Sequence, residues 1–155
     1  MEDKLFSVQD KICIVTGGLG QIGAEFAKEL YSRGAKVAIW GRTLREERMK
    51  ELFGPQAMTE PNLKFYSVDI TKKETRNAAL DEMERVWGAA PDVLINNAGL
   101  DTQPSAPPEV SGPFENFPEE VFREVVDTNL VGTFLACQAV GARMVQAGKG
   151  GSIIN

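Results

Sequence analysis

The sequence predicts an α/β fold, in which a doubly wound parallel sheet carries helices on both faces. Short apolar runs rich in β-branched residues alternate with amphipathic helical patterns from one end of the chain to the other. Such alternation is typical of right-handed βαβ units. A glycine cluster lies between the first apolar run and the first helical pattern. With 155 residues, we expect a single domain spanning residues 1–155.

The first half of the chain gives two strands and two helices. Residues 11–16 are apolar enough to form a buried first strand, and residues 22–33 have the apolar spacing of a helix. Gly34 suits the C′ position that closes this helix. Residues 36–40 form the predicted second strand, and residues 44–53 form a helix with a charged, solvated face.

A third helix is predicted between the third and fourth strands in the sequence. Residues 63–69 form the predicted third strand, and residues 92–96 form the fourth. Thr71 and Glu74 have the T-x-x-E spacing of a capping box, which predicts the start of the helix between these strands. The residues expected on the inner side of that helix are Ala79, Met83, Val86 and Trp87.

The last third of the chain contains a proline-rich loop, a long helix and a fifth strand. Residues 100–115 carry four prolines and are expected to be either a surface insertion or part of a lid or substrate wall. Pro118 suits the first turn of a helix that continues to about residue 147, and Ser152 begins a strand whose outer edge is left incomplete. One wide apolar side of the helix contains Phe122, Val125, Val126, Leu130, Phe134 and Cys137. This side predicts a homo-oligomer contact through helix 118–147.

Composition excludes several classes of function. A net charge of −5 argues against binding to nucleic acid or to an anionic membrane surface. No uninterrupted apolar run approaches the roughly 20 residues that span a bilayer. The absence of histidine excludes Ser-His-Asp triads and histidine metal sites, and we expect no metal site. Cys13 and Cys137 are expected to be reduced thiols, as in a cytoplasmic protein.

The glycine cluster carries the strongest functional signal. Gly18, Gly20 and Gly23 match G-x-G-x-x-G directly after a strand and at the start of a helix. Glycine lets backbone N–H groups approach phosphate oxygens closely, and the helix N-terminus attracts the anion. The turn therefore predicts a dinucleotide site at the carboxyl edge of the sheet.

Three further motifs narrow the family. In chain order they are Val15-Thr16-Gly17, Asn96-Asn97-Ala98-Gly99 at the end of strand four, and Asn129 in the long helix. In this order and spacing they closely resemble the short-chain dehydrogenase/reductase family. The resemblance implies a Rossmann-type sheet of about five strands in the order 3-2-1-4-5. It also implies a nicotinamide-dependent oxidoreductase that interconverts an alcohol and a carbonyl.

The resemblance also implies roles for individual residues. Those that would line the pyrophosphate are Gly17, Gly18, Leu19, Gly20 and Ile22. Asp69 and Ile70 would flank the adenine, with the carboxylate accepting a hydrogen bond from its amino group. The segment beneath the ribose and nicotinamide would contain Asn97, Ala98 and Gly99. Asn129 would be the catalytic helical asparagine, part of a proton relay.

The glycine spacing departs from the single-domain branch of this family. That branch reads T-G-x-x-x-G-x-G, which requires glycine where this chain has Gln21. The observed T-G-x-x-G-x-x-G is closer to the extended branch, which includes sugar-nucleotide epimerases and dehydratases. The N-N-A-G motif favours the single-domain branch and receives more weight here.

The end of strand two indicates which nicotinamide cofactor is bound. An NAD site places an acidic residue there, which accepts hydrogen bonds from the ribose and repels a 2′-phosphate. This chain has Arg42 and Thr43 instead, with no carboxylate before Glu46. The Arg42 guanidinium is suited to a phosphate, although it could merely stack on the adenine. We therefore expect NADP(H) to be favoured over NAD(H).

Catalytic residues of the family are missing from this sequence. The resemblance implies a serine after strand five and a Tyr-x-x-x-Lys pair, whereas Tyr31 and Tyr66 are followed four residues later by Ala35 and Ile70. Two hypotheses remain. The chain is either the cofactor-binding half of an oxidoreductase acting on a small alcohol or carbonyl, or a non-catalytic nucleotide-binding module.

Overall fold

A computed structural model describes residues 6–101 and 111–155. Five parallel strands form one sheet in the order β3-β2-β1-β4-β5, which confirms the predicted topology. The strands are β1 Ile12–Thr16, β2 Lys36–Gly41, β3 Leu63–Ser67, β4 Val93–Ile95 and β5 Ser152–Ile154. The helices are α1 Gln21–Ser32, α2 Glu46–Phe53, α3 Lys73–Trp87, α4 Glu119–Val126 and α5 Thr133–Ala147.

Side chains of the central strands alternate between two cores. Ile14 and Trp40 face one core, which α3 and α5 complete with residues such as Leu80 and Val140. The other core is packed against α1 and α2, and its members include Val15, Ile39, Ala27 and Met49. Burial on both faces explains why the β1 sequence reads as a continuous apolar run.

The predicted capping box is wrong. α3 begins at Lys73, and its N-cap residue Lys72 makes no side-chain cap hydrogen bond. The Thr71 hydroxyl instead donates to Asp69 Oδ1 at 2.6 Å. An acidic residue two positions earlier in the sequence therefore competes successfully for the threonine that the T-x-x-E pattern assigns to the helix.

Some boundaries and faces also differ from the sequence predictions. α2 starts two residues later than expected because Arg45 has a non-helical φ of −118° and ψ of 89°. β3 ends at Ser67, and the Asp69 backbone N–H donates to Thr75 Oγ1 at 3.2 Å instead of extending the strand. Val86 is 39% exposed and so lies off the inner side of α3, whereas Ala79 and Met83 are buried there as expected.

The long helix is divided by one π-helical segment. α4 passes into a π-helix over Asp127–Gly132, and α5 follows without a break in the chain direction. Ala136, Val140 and Met144 point into the core. On the opposite side, large apolar residues are more than half exposed, namely Phe122, Leu130 and Phe134. The sheet therefore covers only part of the apolar surface of this helix.

α4, the π-helix and α5 together form one long apolar helical stretch. Glu119–Ala147 is long and apolar enough to cross a membrane by length and composition, with a window of mean hydropathy 1.2 of which 17% is buried. Core helices of soluble proteins pass the same test, so the finding is weak evidence for a membrane location.

β5 forms one edge of the sheet. Ile153 and Ile154 on the edge strand β5 are 39% and 51% exposed, as expected for an incomplete edge. Much of the predicted loop 100–115 falls at residues 102–110, outside the described residues, so neither interpretation of that loop is tested.

Candidate functional site

A groove of about 860 Å³ lies beyond the carboxyl ends of the central strands. The predicted cofactor residues that line it are Gly17, Leu19, Gly20, Ile22, Arg42, Thr43, Asp69, Ile70, Asn97, Ala98 and Gly99. These residues come from four separate segments, each following a different strand. The parallel sheet brings the segments together because the carboxyl ends of its strands share one edge.

The glycine turn joins β1 to α1 and forms one wall of the groove. Gly17 has a φ of +67°, which disfavours a side chain, and its carbonyl accepts a 2.9 Å hydrogen bond from the Gly20 N–H. Gly20 is the N-cap of α1 and offers no side-chain cap, so first-turn N–H groups are left for an anion. Gly18 lies away from the groove, since a Cβ there would be 3.1 Å from the Ile39 side chain.

Thr16 connects this turn to the segment after β4. Its side chain is buried, and Oγ1 accepts hydrogen bonds from the backbone N–H groups of Asn97 (3.0 Å) and Ala98 (2.9 Å). In return, Asn97 Nδ2 donates to the carbonyl of Thr16 at 3.0 Å and to that of Gly17 at 3.3 Å. These bonds fix the relative position of two walls of the groove.

Thr16→Val should destabilise the protein by on the order of 2–4 kcal/mol, because it leaves two partly buried N–H groups without an acceptor at nearly unchanged volume. Urea unfolding followed by circular dichroism measures the change. Thr59→Val is the matched control, since the Thr59 hydroxyl is exposed and bonds only within its own turn. An effect of Thr16→Val as small as that of the control would contradict this assignment.

Asp69 is held in a defined orientation at the far end of the groove. Its Oδ1 accepts hydrogen bonds from the Thr71 N–H at 2.9 Å and the Thr71 hydroxyl at 2.6 Å. The hydroxyl bond is the main cause that lowers the pKa of Asp69, and the charges of Lys72 and Arg42 lower it further against a contribution from burial. The carboxylate is therefore ionised at neutral pH, and its other oxygen can accept a hydrogen bond.

Positive charge surrounds the same end of the groove. Arg42 lines it as predicted, and the Ser67 hydroxyl donates to the Arg42 carbonyl at 3.1 Å. Arg45 and Lys72 also line the groove, and neither was predicted from the sequence. Their positions shortly after predicted strands two and three were the available signal.

Asn129 fastens the long helix to the segment after β4. Its Oδ1 accepts from the Leu100 N–H at 2.7 Å, and its Nδ2 donates to the Leu100 carbonyl at 2.9 Å. Asn129 itself does not line the groove, whereas Leu100 does. The amide thus finds the partners that an asparagine on an apolar helix requires, although its side chain is exposed.

The long helix and β2 contribute lining residues that sequence patterns did not reveal. Glu124, Asp127 and Thr128 reach the groove from the junction of α4 and the π-helix. Trp40 also lines it, and its indole N–H is buried without an acceptor among the described residues. Among residues 6–101 and 111–155, no group of three or more acidic or cysteine side chains is placed to hold a metal ion.

Residues 11–155 match the sequence profile of the family described as short chain dehydrogenase. The chain belongs to this family. All of the residues that line the groove lie within this match.

Similar proteins include enzymes with different named activities. The chain is 30% identical to an acetoacetyl-CoA reductase from Acinetobacter sp., over 95% of this chain and 55% of that protein. It is 32% identical to an NAD-dependent glycerol dehydrogenase from Listeria innocua, over 99% of this chain and 54% of that protein. The chain thus spans about half the length of the curated relatives it matches.

The fold is similar to that of a solved short chain dehydrogenase structure. The crystal structure of a short chain dehydrogenase from Leptospira borgpetersenii with bound NAD+ has a TM-score of 0.78 and 29% sequence identity to the chain. The match covers 99% of this chain and 53% of that one.

Proposed function

We propose that residues 1–155 form the cofactor-binding domain of an NADP(H)-dependent oxidoreductase that interconverts an alcohol and a carbonyl. The observation that carries the proposal is the groove, in which the glycine turn, Arg42, Asp69 and Asn97 converge from four strand ends. Relatives named as reductases and dehydrogenases support the same class of reaction. They favour it over the sugar-nucleotide epimerase that the glycine spacing allowed.

The shape of the glycine turn fits a bound pyrophosphate. Among the described residues outside its chain neighbours, a Cβ on Gly20 would have only the Gly17 carbonyl within 4 Å, at 3.2 Å, so this position otherwise faces open space in that part of the structure. Phosphate oxygens can occupy that space and accept hydrogen bonds from the first turn of α1. Leu19 and Ile22 flank the turn, and Gly18 supports it by packing against β2.

The remaining walls fit the two ends of a dinucleotide. Asp69 and Ile70 would receive the adenine, with Asp69 accepting from its 6-amino group. Asn97, Ala98 and Gly99 would support the ribose and nicotinamide, and Asn129 would hold the adjoining Leu100 backbone in place. When bound, the nicotinamide supplies or accepts the hydride, and these residues bind and orient it.

Charge at the ribose end supports NADP(H) as the cofactor. Arg42, Arg45 and Lys72 all line this end of the groove, and no acidic residue follows β2 before Glu46. A 2′-phosphate would therefore meet guanidinium and ammonium groups, with Thr43 available as a further hydrogen-bond donor.

The unmodified chain should bind NADPH more tightly than NADH, and Arg42→Asp should reverse this order. Loss of a charged hydrogen bond to the phosphate costs on the order of 1.5–3 kcal/mol, and the new carboxylate would accept from the ribose hydroxyls. Fluorescence or calorimetric titration with both cofactors measures the effect. Arg48→Asp is the control, because Arg48 lies on α2 and pairs with Glu51. Equal affinities in the unmodified chain would refute the cofactor assignment.

We also propose that the protein is a cytoplasmic homo-oligomer. The exposed residues Phe122, Leu130 and Phe134 give helix 118–147 an apolar side that a second subunit would cover. Cys13 and Cys137 are free thiols, which agrees with a reducing compartment.

A further inference from the structure

α3 places a buried guanidinium directly behind the adenine end of the groove. Arg76 is only 4% exposed, and its Nη1 donates to the Ile70 carbonyl at 2.5 Å. Its Nε is buried without an acceptor, and no carboxylate lies within ion-pair distance among residues 6–101 and 111–155. Burying a charge with so few partners is costly, and burial lowers the pKa of Arg76.

The carbonyl that Arg76 holds belongs to a peptide group with a second connection. This group joins Ile70 to Thr71, and its N–H donates to Asp69 Oδ1 at 2.9 Å. One planar unit therefore links the guanidinium at one end to the adenine-facing carboxylate at the other. Any rotation of the peptide would break both bonds together.

The Ile70 side chain is fixed from the opposite direction. It is 6% exposed and rests against the π-helix, where a Cβ on Gly132 would be 2.8 Å from Ile70 Cγ1 and 2.9 Å from Cδ1. Ile70 is thus held at its carbonyl by α3 and at its side chain by the helix that carries Asn129.

We propose that Arg76 is a positioning residue for adenine recognition, which orients the Asp69 carboxylate through the peptide group between Ile70 and Thr71. This inference rests on the proposed function, in which Asp69 accepts from the 6-amino group. Arg76 sets how strongly the site distinguishes adenine from a purine that lacks this group. Gly132 contributes by leaving room for Ile70 beside the same corner.

The ratio of two dissociation constants tests the proposal. We compare NADPH with reduced nicotinamide hypoxanthine dinucleotide phosphate, which replaces the adenine amino group by a carbonyl oxygen. The unmodified chain should prefer NADPH by about tenfold or more, as expected for a hydrogen bond to a charged group. Arg76→Met should reduce this preference to about threefold or less. Arg76→Lys, which keeps a cationic donor, should recover part of it.

The ratio separates positioning from general stability. Arg143→Met is the control, because Arg143 bridges α5 to Asp81 (2.6 Å) and Glu84 (2.8 Å) on α3, away from the groove. It should lower the thermal midpoint without changing the ratio. If Arg76→Met does not fold, Gly132→Ala serves as the second variant, since its methyl would displace Ile70 and should also lower the ratio.

Two results would overturn the inference. One is an equal weakening of both ligands by Arg76→Met and Gly132→Ala, which would indicate a structural role alone. The other is a lack of preference in the unmodified chain, which would show that Asp69 does not read the amino group. If the unmodified chain fails to bind NADPH at all, the proposed function itself is refuted.

Discussion

Gly20→Val is expected to abolish NADPH binding while the chain stays folded. The valine branches would occupy the open space into which the Gly20 Cβ points, where we place the pyrophosphate. Losing two charge-assisted backbone hydrogen bonds at about 1.5–3 kcal/mol each corresponds to roughly a hundredfold weaker binding or more. Gly20 has φ −73° and ψ −179°, which valine adopts without strain, and the Gly17 carbonyl, 3.2 Å from the added Cβ, has to move only slightly.

Circular dichroism and fluorescence titration together test this result. Gly141→Val is a matched control, because Gly141 lies in α5 and a Cβ there would contact, among the described residues outside its own helix backbone, only the Ile153 side chain at 3.8 Å. The control should bind NADPH normally. A Gly20→Val variant with a native spectrum and normal NADPH affinity would show that the phosphate turn has been assigned wrongly.

The sheet was predictable because its signals are local and repeated. Each central strand is buried on both faces, so apolar runs mark β1 and β2 without any knowledge of their neighbours. Gly34 and the glycine turn mark helix ends by conformations that other residues rarely adopt, and Gly34 indeed has a φ of +83°. The strand order came from resemblance to a family and not from the apolar pattern.

Errors arose where a side chain had two possible partners. Thr71 satisfies the capping-box spacing with Glu74, yet its hydroxyl binds Asp69 because that carboxylate is ionised and closer in sequence. Helical spacing likewise placed Val86 on the inner side of α3, although its side chain is 39% exposed. The hydrogen-bond partner of a side chain and its burial depend on tertiary structure, which periodicity alone does not specify.

In the candidate site, residues that belong to sequence motifs were predicted, whereas a residue placed only by tertiary contacts was not. Residues within motifs were found, and all of the predicted cofactor residues except Gly18 line the groove. Arg76 was missed because an arginine in the middle of a helix normally extends into solvent. Only the structure shows that it is buried against the Ile70 carbonyl.

The 155-residue chain is expected to bind NADPH yet show no measurable oxidation of it with carbonyl substrates. General acid catalysis contributes about 10²–10⁴-fold and needs a proton donor with a pKa near the working pH. Tyr66 packs edge-on against Trp87 at a ring distance of 6.4 Å, and burial raises its pKa to about 12. Tyr31 packs against Phe53 at 6.0 Å, and burial raises its pKa as well. Neither tyrosine lines the groove.

Absorbance at the reduced nicotinamide band, followed with a panel of ketones and aldehydes, measures turnover directly. A longer version that continues through a Tyr-x-x-x-Lys segment, which the family resemblance implies, should gain activity that its Tyr→Phe variant lacks. If that longer version also binds NADPH without turnover, the non-catalytic nucleotide-binding module becomes the better description. The expectation of no activity would be contradicted if the 155-residue chain oxidised NADPH and Asn129→Ala abolished that activity. Because Asn129 bonds both backbone groups of Leu100, such a result would place the reacting atoms beside that residue, away from either tyrosine.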